Sequence, residues 1–109
     1  MPADLDLLRG TLDMLVLKAL IWGPRHGYAV TAWIRDTTHS ELQVDDGALY
    51  GALHRLQARR WIAAEWGLSE NNRKAKYYSL TAEGRRQLRA QAATWVRYAR
   101  AVARVMETA

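Results

Sequence analysis

VDDGALYGALHRLQARRWIAAEWGLSENNRKAKYYSL, residues 44–80, changes its periodicity partway along. Its first part has leucines at helical steps of four and three, and Asp45 or Asp46 can accept hydrogen bonds from the free amides of a first helical turn. Two later segments, 61–66 and 76–80, are short and rich in large apolar residues, and a polar stretch of turn formers separates them. This stretch therefore predicts a helix that ends near residue 60 and then a β-hairpin.

Two helices are predicted before this stretch. The first carries apolar residues at steps of three and four, and Gly23-Pro24 ends it because proline cannot continue the hydrogen-bond ladder. Its stripe comprises Leu5, Leu8, Leu12, Leu15, Val16, Ala19 and Leu20. A second, shorter helix is predicted from about His26 to Thr37. It is expected to bury in part Tyr28, Val30, Trp33 and Ile34.

A long helix is predicted after the hairpin, from an N-cap at Thr81 to about Met106. Its apolar positions alternate steps of four and three like a heptad seam: Leu88, Ala92, Trp95, Ala99, Val102 and Met106. An apolar seam that extends past a small core exposes a sizeable patch, and a second copy of the chain would cover it. The helix can also fold back on helix one of its own chain. The two arrangements can coexist, with helix one held between two long helices. We predict a homodimer with this seam as its interface.

The net charge of +5 is concentrated in the C-terminal half. Residues 1–49 carry −3 and residues 50–109 carry +8. Such an imbalance is typical of a half that meets a polyanion, although a solvated basic helix would give the same count.

The element order predicts a fold that is mainly α with a small β-hairpin: a winged helix-turn-helix plus a long C-terminal helix. We predict a winged-helix DNA-binding domain over residues 1–80 and a C-terminal dimerisation helix over residues 81–109. The major groove of B-DNA is about 12 Å wide and admits one helix. The third helix is expected to enter it while the hairpin reaches the adjacent backbone.

Candidate DNA contacts lie on the hairpin and on the third helix. Arg73, Lys74 and Lys76 sit at or beside the hairpin turn, where clustered cations release counterions from DNA. On the third helix Tyr50 and His54 are one turn apart and can share a face. The small residues Ala48 and Gly51 near its start let the backbone approach DNA closely.

The sequence does not favour an enzyme. There is no cysteine in the 109 residues, so disulfides, thiolate metal sites and cysteine nucleophiles are excluded. No serine lies in a nucleophile turn, the histidines lack metal-ligand spacing, and no glycine-rich phosphate loop is present. No cofactor is predicted. The N-terminus lacks the basic start of a secretory signal, and the longest apolar run is too short to span a bilayer, so we expect a cytoplasmic protein without a membrane partner.

The ordered set of segments resembles the PadR family of bacterial transcription regulators, in its short type with a single C-terminal helix. The matching segments are residues 10–20 (GTLDMLVLKAL), 23–28 (GPRHGY), 47–56 (GALYGALHRL), 65–67 (EWG) and 73–81 (RKAKYYSLT) with Gly84. The resemblance implies a dimeric winged helix that usually represses genes and often releases DNA on binding a small molecule. It places Tyr28, Tyr50 and the three hairpin cations near DNA.

Trp95 has two interpretations. As a structural residue it fills the dimer interface. By resemblance it matches a tryptophan that stacks planar ligands at the dimer centre in multidrug-sensing members, which implies a small planar aromatic effector.

The chain departs from the family pattern at two positions. Ala48 stands where Ser or Thr is common, and Gly51 stands where Pro is common. The lost hydroxyl removes a phosphate or base contact, and Gly51 loosens the helix by about 1 kcal/mol relative to alanine. These departures motivate an alternative function, a winged-helix protein-interaction module with only non-specific DNA affinity.

Overall fold

The computed structural model describes the backbone of residues 2–109 and the side chains from residue 10 onward. The helices are α1 (Pro2–Ala19), α2 (Gly27–Thr37), α3 (Asp46–Ala58) and α4 (Ala82–Glu107), and the strands are β1 (Arg25–His26), β2 (Ile62–Leu68) and β3 (Lys74–Leu80). The predicted mainly α winged helix with a long C-terminal helix is confirmed. Of the predicted α1 stripe, Leu5 and Leu8 lie outside the described side chains.

The sheet has three strands, whereas the sequence predicted a two-stranded hairpin. β3 lies in the middle, antiparallel to both β2 and β1. β1 consists of Arg25 and His26, which pair with Tyr78 and Tyr77. Two residues directly after a proline carry no alternation, so β1 has no local signal and exists only through its long-range pairing.

The core lies where α1, α2 and α3 meet the base of the sheet. Its buried members are Leu12, Val16, Leu17, Ala19, Leu20, Val30, Ile34, Leu49, Ala52, Leu53, Leu56, Ile62, Tyr78 and Leu88. The expected partial burial of Tyr28 is wrong, since 72% of this residue is exposed. Tyr28 lies in the first turn of α2, while Val30 and Ile34 supply the face that meets the core.

The start of α4 is fixed to the start of β2. The Thr81 hydroxyl accepts a hydrogen bond from the Gly84 amide at 3.0 Å, which confirms the predicted N-cap. The Thr81 amide donates to the Trp61 carbonyl at 3.1 Å. Gly84 is buried against that carbonyl, and a Cβ at this position would lie 2.0 Å from its oxygen. The first turn of α4 therefore packs directly on the backbone of the residue that precedes β2.

Within residues 2–109, no helix is both long and apolar enough to cross a bilayer.

Candidate nucleic-acid interface

Helix α3 presents one face to the core and another to solvent. The Asp45 carboxylate accepts a hydrogen bond from the Ala48 amide at 2.8 Å and so fixes where the helix begins. The leucines of the buried face hold α3 against α1 and α2. On the opposite side Tyr50 and His54 are exposed and Gly51 is half-buried. Ala48 is also half-buried, and it packs against the core. The predicted exposed face of this helix is therefore present.

The start of α2 lies against Tyr50. His26 caps α2, with its Nδ1 accepting from the Ala29 amide at 3.2 Å. Gly27 follows, and a Cβ there would lie 3.2 Å from the Tyr50 hydroxyl oxygen. The missing side chain thus brings the two helix starts together. Tyr28 comes next along α2, and its ring stacks near that of His26 with centroids 6.4 Å apart.

The β2–β3 hairpin, residues 62–80, is hereafter called the wing. Its turn closes through the Ser69 amide, which donates to the Arg73 carbonyl at 2.8 Å, and Asn72 adopts a left-handed φ of 58°. The Tyr77 hydroxyl donates to the Leu68 carbonyl at 2.8 Å. Both strands reach two residues further toward the tip than predicted. Arg73 and Lys74 are exposed at this tip, and Lys76 is half-buried.

A cleft of about 520 Å³ separates the wing from the starts of α2 and α3, and we call it the wing groove. Its lining residues are His26, Gly27, Tyr28, Tyr50, Trp66, Ser69, Asn71, Arg73, Lys74, Ala75, Lys76 and Tyr78. Among these described residues three are cationic and none is a carboxylate. Burial raises the pKa of Tyr78, and the neighbouring Tyr50 adds to the shift, so this hydroxyl stays a neutral donor. The groove is chemically suited to an anionic ligand.

The structure brings most of the predicted DNA contacts into this one groove. Tyr28, Tyr50 and the three wing cations all line it. Ala48 and His54 lie on α3 outside the groove lining.

Sequence reasoning missed Trp66 as a groove residue. Trp66 is 61% exposed, and the Lys74 ammonium lies 5.1 Å from its indole centroid. The signal was in the alternation of β2, because Ile62 is buried and residues two and four further along share its face. That face reaches beyond the core and so presents Trp66 to the groove.

A second cleft, of about 600 Å³, lies between α1 and α4. Trp95 lines it together with Tyr98, their ring centroids 6.0 Å apart. Asp13 of α1 also lines it, and both its carboxylate oxygens face Arg55 of α3, the shorter contact being 2.8 Å to Nη2. This hydrogen bond raises the pKa of Arg55. The cleft therefore borders an ion pair that links α1 to α3.

The predicted seam of α4 divides into two parts. Leu88 is buried in the core of its own chain at 5% exposure, so it is not on the free face. Ala92 and Ala99 are half-buried, and Trp95, Val102 and Met106 are exposed. The exposed apolar residues of the helix also include Val96, Tyr98 and Val105.

Comparison with known proteins identifies relatives of this chain. The model of the transcriptional regulator PadR-like family matches residues 16–90. The chain is 30% identical over 90 residues to a Lysinibacillus sphaericus protein described as uncharacterized protein X, and the match covers 83% of each. It superposes on the crystal structure of a PadR family transcriptional regulator from Eggerthella lenta with a TM-score of 0.81 and 34% identity, covering 99% of this chain and 92% of the other.

A further similarity is to Bacillus subtilis PadR, whose structure is a complex with operator DNA. The TM-score is 0.65 and the identity 21%, and the match covers 73% of this chain and 45% of the other. At this identity the likeness is one of fold.

Proposed function

Since the chain belongs to the PadR-like family, which consists of transcriptional regulators and not of enzymes, we propose that it is a cytoplasmic repressor that binds operator DNA sequence-specifically as a homodimer. The wing groove is the observation that carries this proposal. Three cations without a carboxylate face the exposed residues at the starts of α2 and α3. Such a surface attracts phosphates through counterion release, while an adjacent helix can enter the major groove. The operator complex of Bacillus subtilis PadR, which shares this fold, supports the same assignment.

Tyr50 is proposed as the contact that joins the two DNA-binding elements. It is 54% exposed on α3, and its hydroxyl lies close to Gly27 at the start of α2. Tyr28 extends the same surface from α2. Ala48 and His54 are proposed to lie along the DNA-facing side of α3, with Ala48 offering only apolar contact. Discrimination between bases then depends on few side chains.

The test is selection of bound sequences from a random duplex library at about physiological salt. A two-fold symmetric motif is expected, because a symmetric dimer reads two half-sites. No enriched motif, together with binding lost on modest added salt, would refute sequence-specific regulation. That outcome would favour the alternative, a protein-interaction module with non-specific DNA affinity.

The role of the wing cations is tested by the double variant Arg73→Ala/Lys74→Ala. If both side chains neutralise phosphates, the slope of log K against log salt should flatten by about 2, since each lost contact contributes about 0.9. The matched control is Arg97→Ala/Arg100→Ala, which removes the same charge from exposed positions on α4. Equal slopes for the two double variants would refute the wing assignment.

The homodimer is proposed to form through the exposed apolar face of α4, at Ala92, Trp95, Ala99, Val102 and Met106. Val102 and Met106 are 41% and 76% exposed in the single chain. Light scattering at about 10 μM protein should give the mass of a dimer, and Val102→Asp should give a monomer because it places a charge in the apolar contact. Arg100→Ala changes the net charge equally and should remain dimeric. A monomeric wild-type protein would refute the dimer.

A small planar aromatic effector is proposed to stack on Trp95 at the dimer centre, beside the cleft between α1 and α4, and to make the protein release DNA. Trp95 and Tyr98 supply the aromatic surface, and the neighbouring Asp13–Arg55 pair reaches α3. A planar dye should quench the tryptophan fluorescence of the wild type. Trp95→Ala should lose the quenching that comes from the dye stacking on Trp95. Trp22→Ala is the control, since Trp22 is exposed and lies outside the cleft lining. An equal response in wild type and Trp95→Ala would exclude Trp95 as the stacking residue.

A further inference from the structure

The inner face of the wing continues beyond the core that it covers. At the base, this face carries Ile62 and Leu80 as one cross-strand pair. Toward the tip, it carries Trp66 opposite Lys76 and then Leu68 opposite Lys74. Side chains of opposite residues share a face of the sheet, so one surface runs from a packed core into a free projection.

This projection is apolar on one strand and cationic on the other. Trp66 and Leu68 are 61% and 66% exposed although they share the face of buried Ile62. Each apolar side chain on β2 stands opposite a lysine on β3. The Lys74 ammonium also lies 5.1 Å from the indole centroid, a distance at which the ring attracts the cation. An exposed tryptophan paired with cations in this way is suited to a ligand that is anionic and apolar at once.

Because the projection borders the wing groove, a nucleic acid backbone is the ligand that fits it best. Trp66 lines the wing groove opposite Tyr50, where none of the described lining residues is acidic. A DNA strand alternates anionic phosphates with deoxyribose rings that present apolar faces. On the wing a row of apolar side chains lies beside a row of lysines, so the sugars and the phosphates of one DNA strand can each meet the matching row.

We propose that Trp66 and Leu68 pack against deoxyribose faces of one DNA strand while Lys74 and Lys76 pair with the flanking phosphates. This inference rests on the proposed function and adds to it a contact that is independent of salt. Phosphate pairing releases counterions, whereas burial of an indole on a sugar does not. The two contributions therefore separate in a salt titration.

The experiment measures the affinity of the full-length protein for one duplex over a series of salt concentrations. Trp66→Ala should bind about tenfold more weakly at every concentration, with the slope of log K against log salt unchanged. Trp66→Phe, which keeps an aromatic ring, should recover most of the loss. Lys74→Ala should instead flatten the slope by about 0.9.

Trp22 provides a matched control. It is 63% exposed, and the Lys18 ammonium lies 5.3 Å from its ring centroid, so its surroundings resemble those of Trp66. Its ring is tilted against that of Trp33 with centroids 5.4 Å apart, and Trp22 is not among the residues that line the wing groove. Trp22→Ala should leave DNA affinity unchanged. An equal loss in Trp22→Ala and Trp66→Ala would overturn the proposal, because the effect would then be general.

Two further outcomes would overturn the inference. If Trp66→Ala binds with wild-type affinity, the indole makes no contact with DNA. If the slope of log K against log salt flattens in Trp66→Ala as it does in Lys74→Ala, the indole only positions the lysine. Leu68→Ser tests the same surface with the indole intact and should weaken binding about threefold without changing the slope. Failure of the wild type to bind any duplex at low salt would instead refute the proposed function itself. Circular dichroism melting of each variant separates lost binding from lost folding.

Discussion

Replacement of Gly84 by alanine should destabilise the protein even though alanine is the better helix former. The Cβ would lie 2.0 Å from the Trp61 carbonyl oxygen, and since real Cβ contacts are essentially never under 3.0 Å, the two must separate by about 1 Å. The obstacle is backbone and cannot rotate away. The same carbonyl accepts the Thr81 amide hydrogen bond at 3.1 Å, so moving α4 also weakens the attachment of its N-cap residue.

The expected magnitude combines three contributions. Overpacking of this kind costs about 1–3 kcal/mol. A weakened hydrogen bond at Thr81 adds about 1 kcal/mol, and the helix propensity of alanine over glycine returns about 1 kcal/mol. The free energy of unfolding should therefore fall by about 2 kcal/mol, which lowers Tm by about 8 °C for a chain of this size.

Urea unfolding followed by circular dichroism at a fixed protomer concentration measures this loss, since association makes stability concentration-dependent. Gly51→Ala is the matched control, because its Cβ would meet only the Arg55 side chain at 3.4 Å. That variant should gain about 0.5–1 kcal/mol from helix propensity. A Gly84→Ala protein as stable as the wild type would refute the argument that the first turn of α4 needs glycine to approach β2.

Three other perturbations test separate contacts. Asp13→Ala should reduce the free energy of unfolding by about 1 kcal/mol, because it leaves Arg55 without its half-buried partner. Asp36→Ala breaks an exposed pair and should cost almost nothing. Equal losses for the two variants in urea unfolding would contradict this expectation. Hydrogen bonds from Gln87 and Arg86 lower the pKa of Glu83, so its contribution to stability is present above its unfolded-state pKa and is lost as the pH falls below about 4.3. Glu83→Gln should lack the loss of stability at low pH that comes from protonation of Glu83. Identical profiles of stability against pH for the variant and the wild type would exclude this contribution. Tyr77→Phe removes the hydroxyl that donates across the wing and should lower the free energy of unfolding by about 0.5 kcal/mol. An unchanged urea midpoint would contradict this expectation.

Local patterns predicted most of the fold. Helical spacing of leucines predicted α3. Its N-cap is Asp45, one of the two candidates Asp45 and Asp46, and the predicted N-cap Thr81 is also found. The hairpin followed from its change of period. These features depend on neighbours within a few residues, which a sequence displays directly.

The features that were missed depend on distant contacts. β1 is a strand only because Arg25 and His26 meet β3, more than fifty residues away. The exposure of Tyr28 depends on where α2 begins, and the importance of Trp66 depends on how far the wing extends past the core. Leu88 fits a heptad as well as the positions after it, and only packing shows that it belongs to its own chain. The DNA and effector roles of the site residues stay predictions until binding is measured.

The short strand β1 has a consequence for how a ligand is accommodated. It ties the base of the wing to the connection between α1 and α2, and the Arg25 side chain adds a hydrogen bond to the Ala19 carbonyl at 2.8 Å. This tie restrains the base of the wing, so on the proposed function a duplex that contacts both the wing and α3 would have to adjust its own groove width. The deformation energy of DNA varies with base sequence, so base pairs that meet no side chain would still influence affinity. If the proposed function holds, a two-residue strand would thus make the stiffness of the DNA part of the recognition.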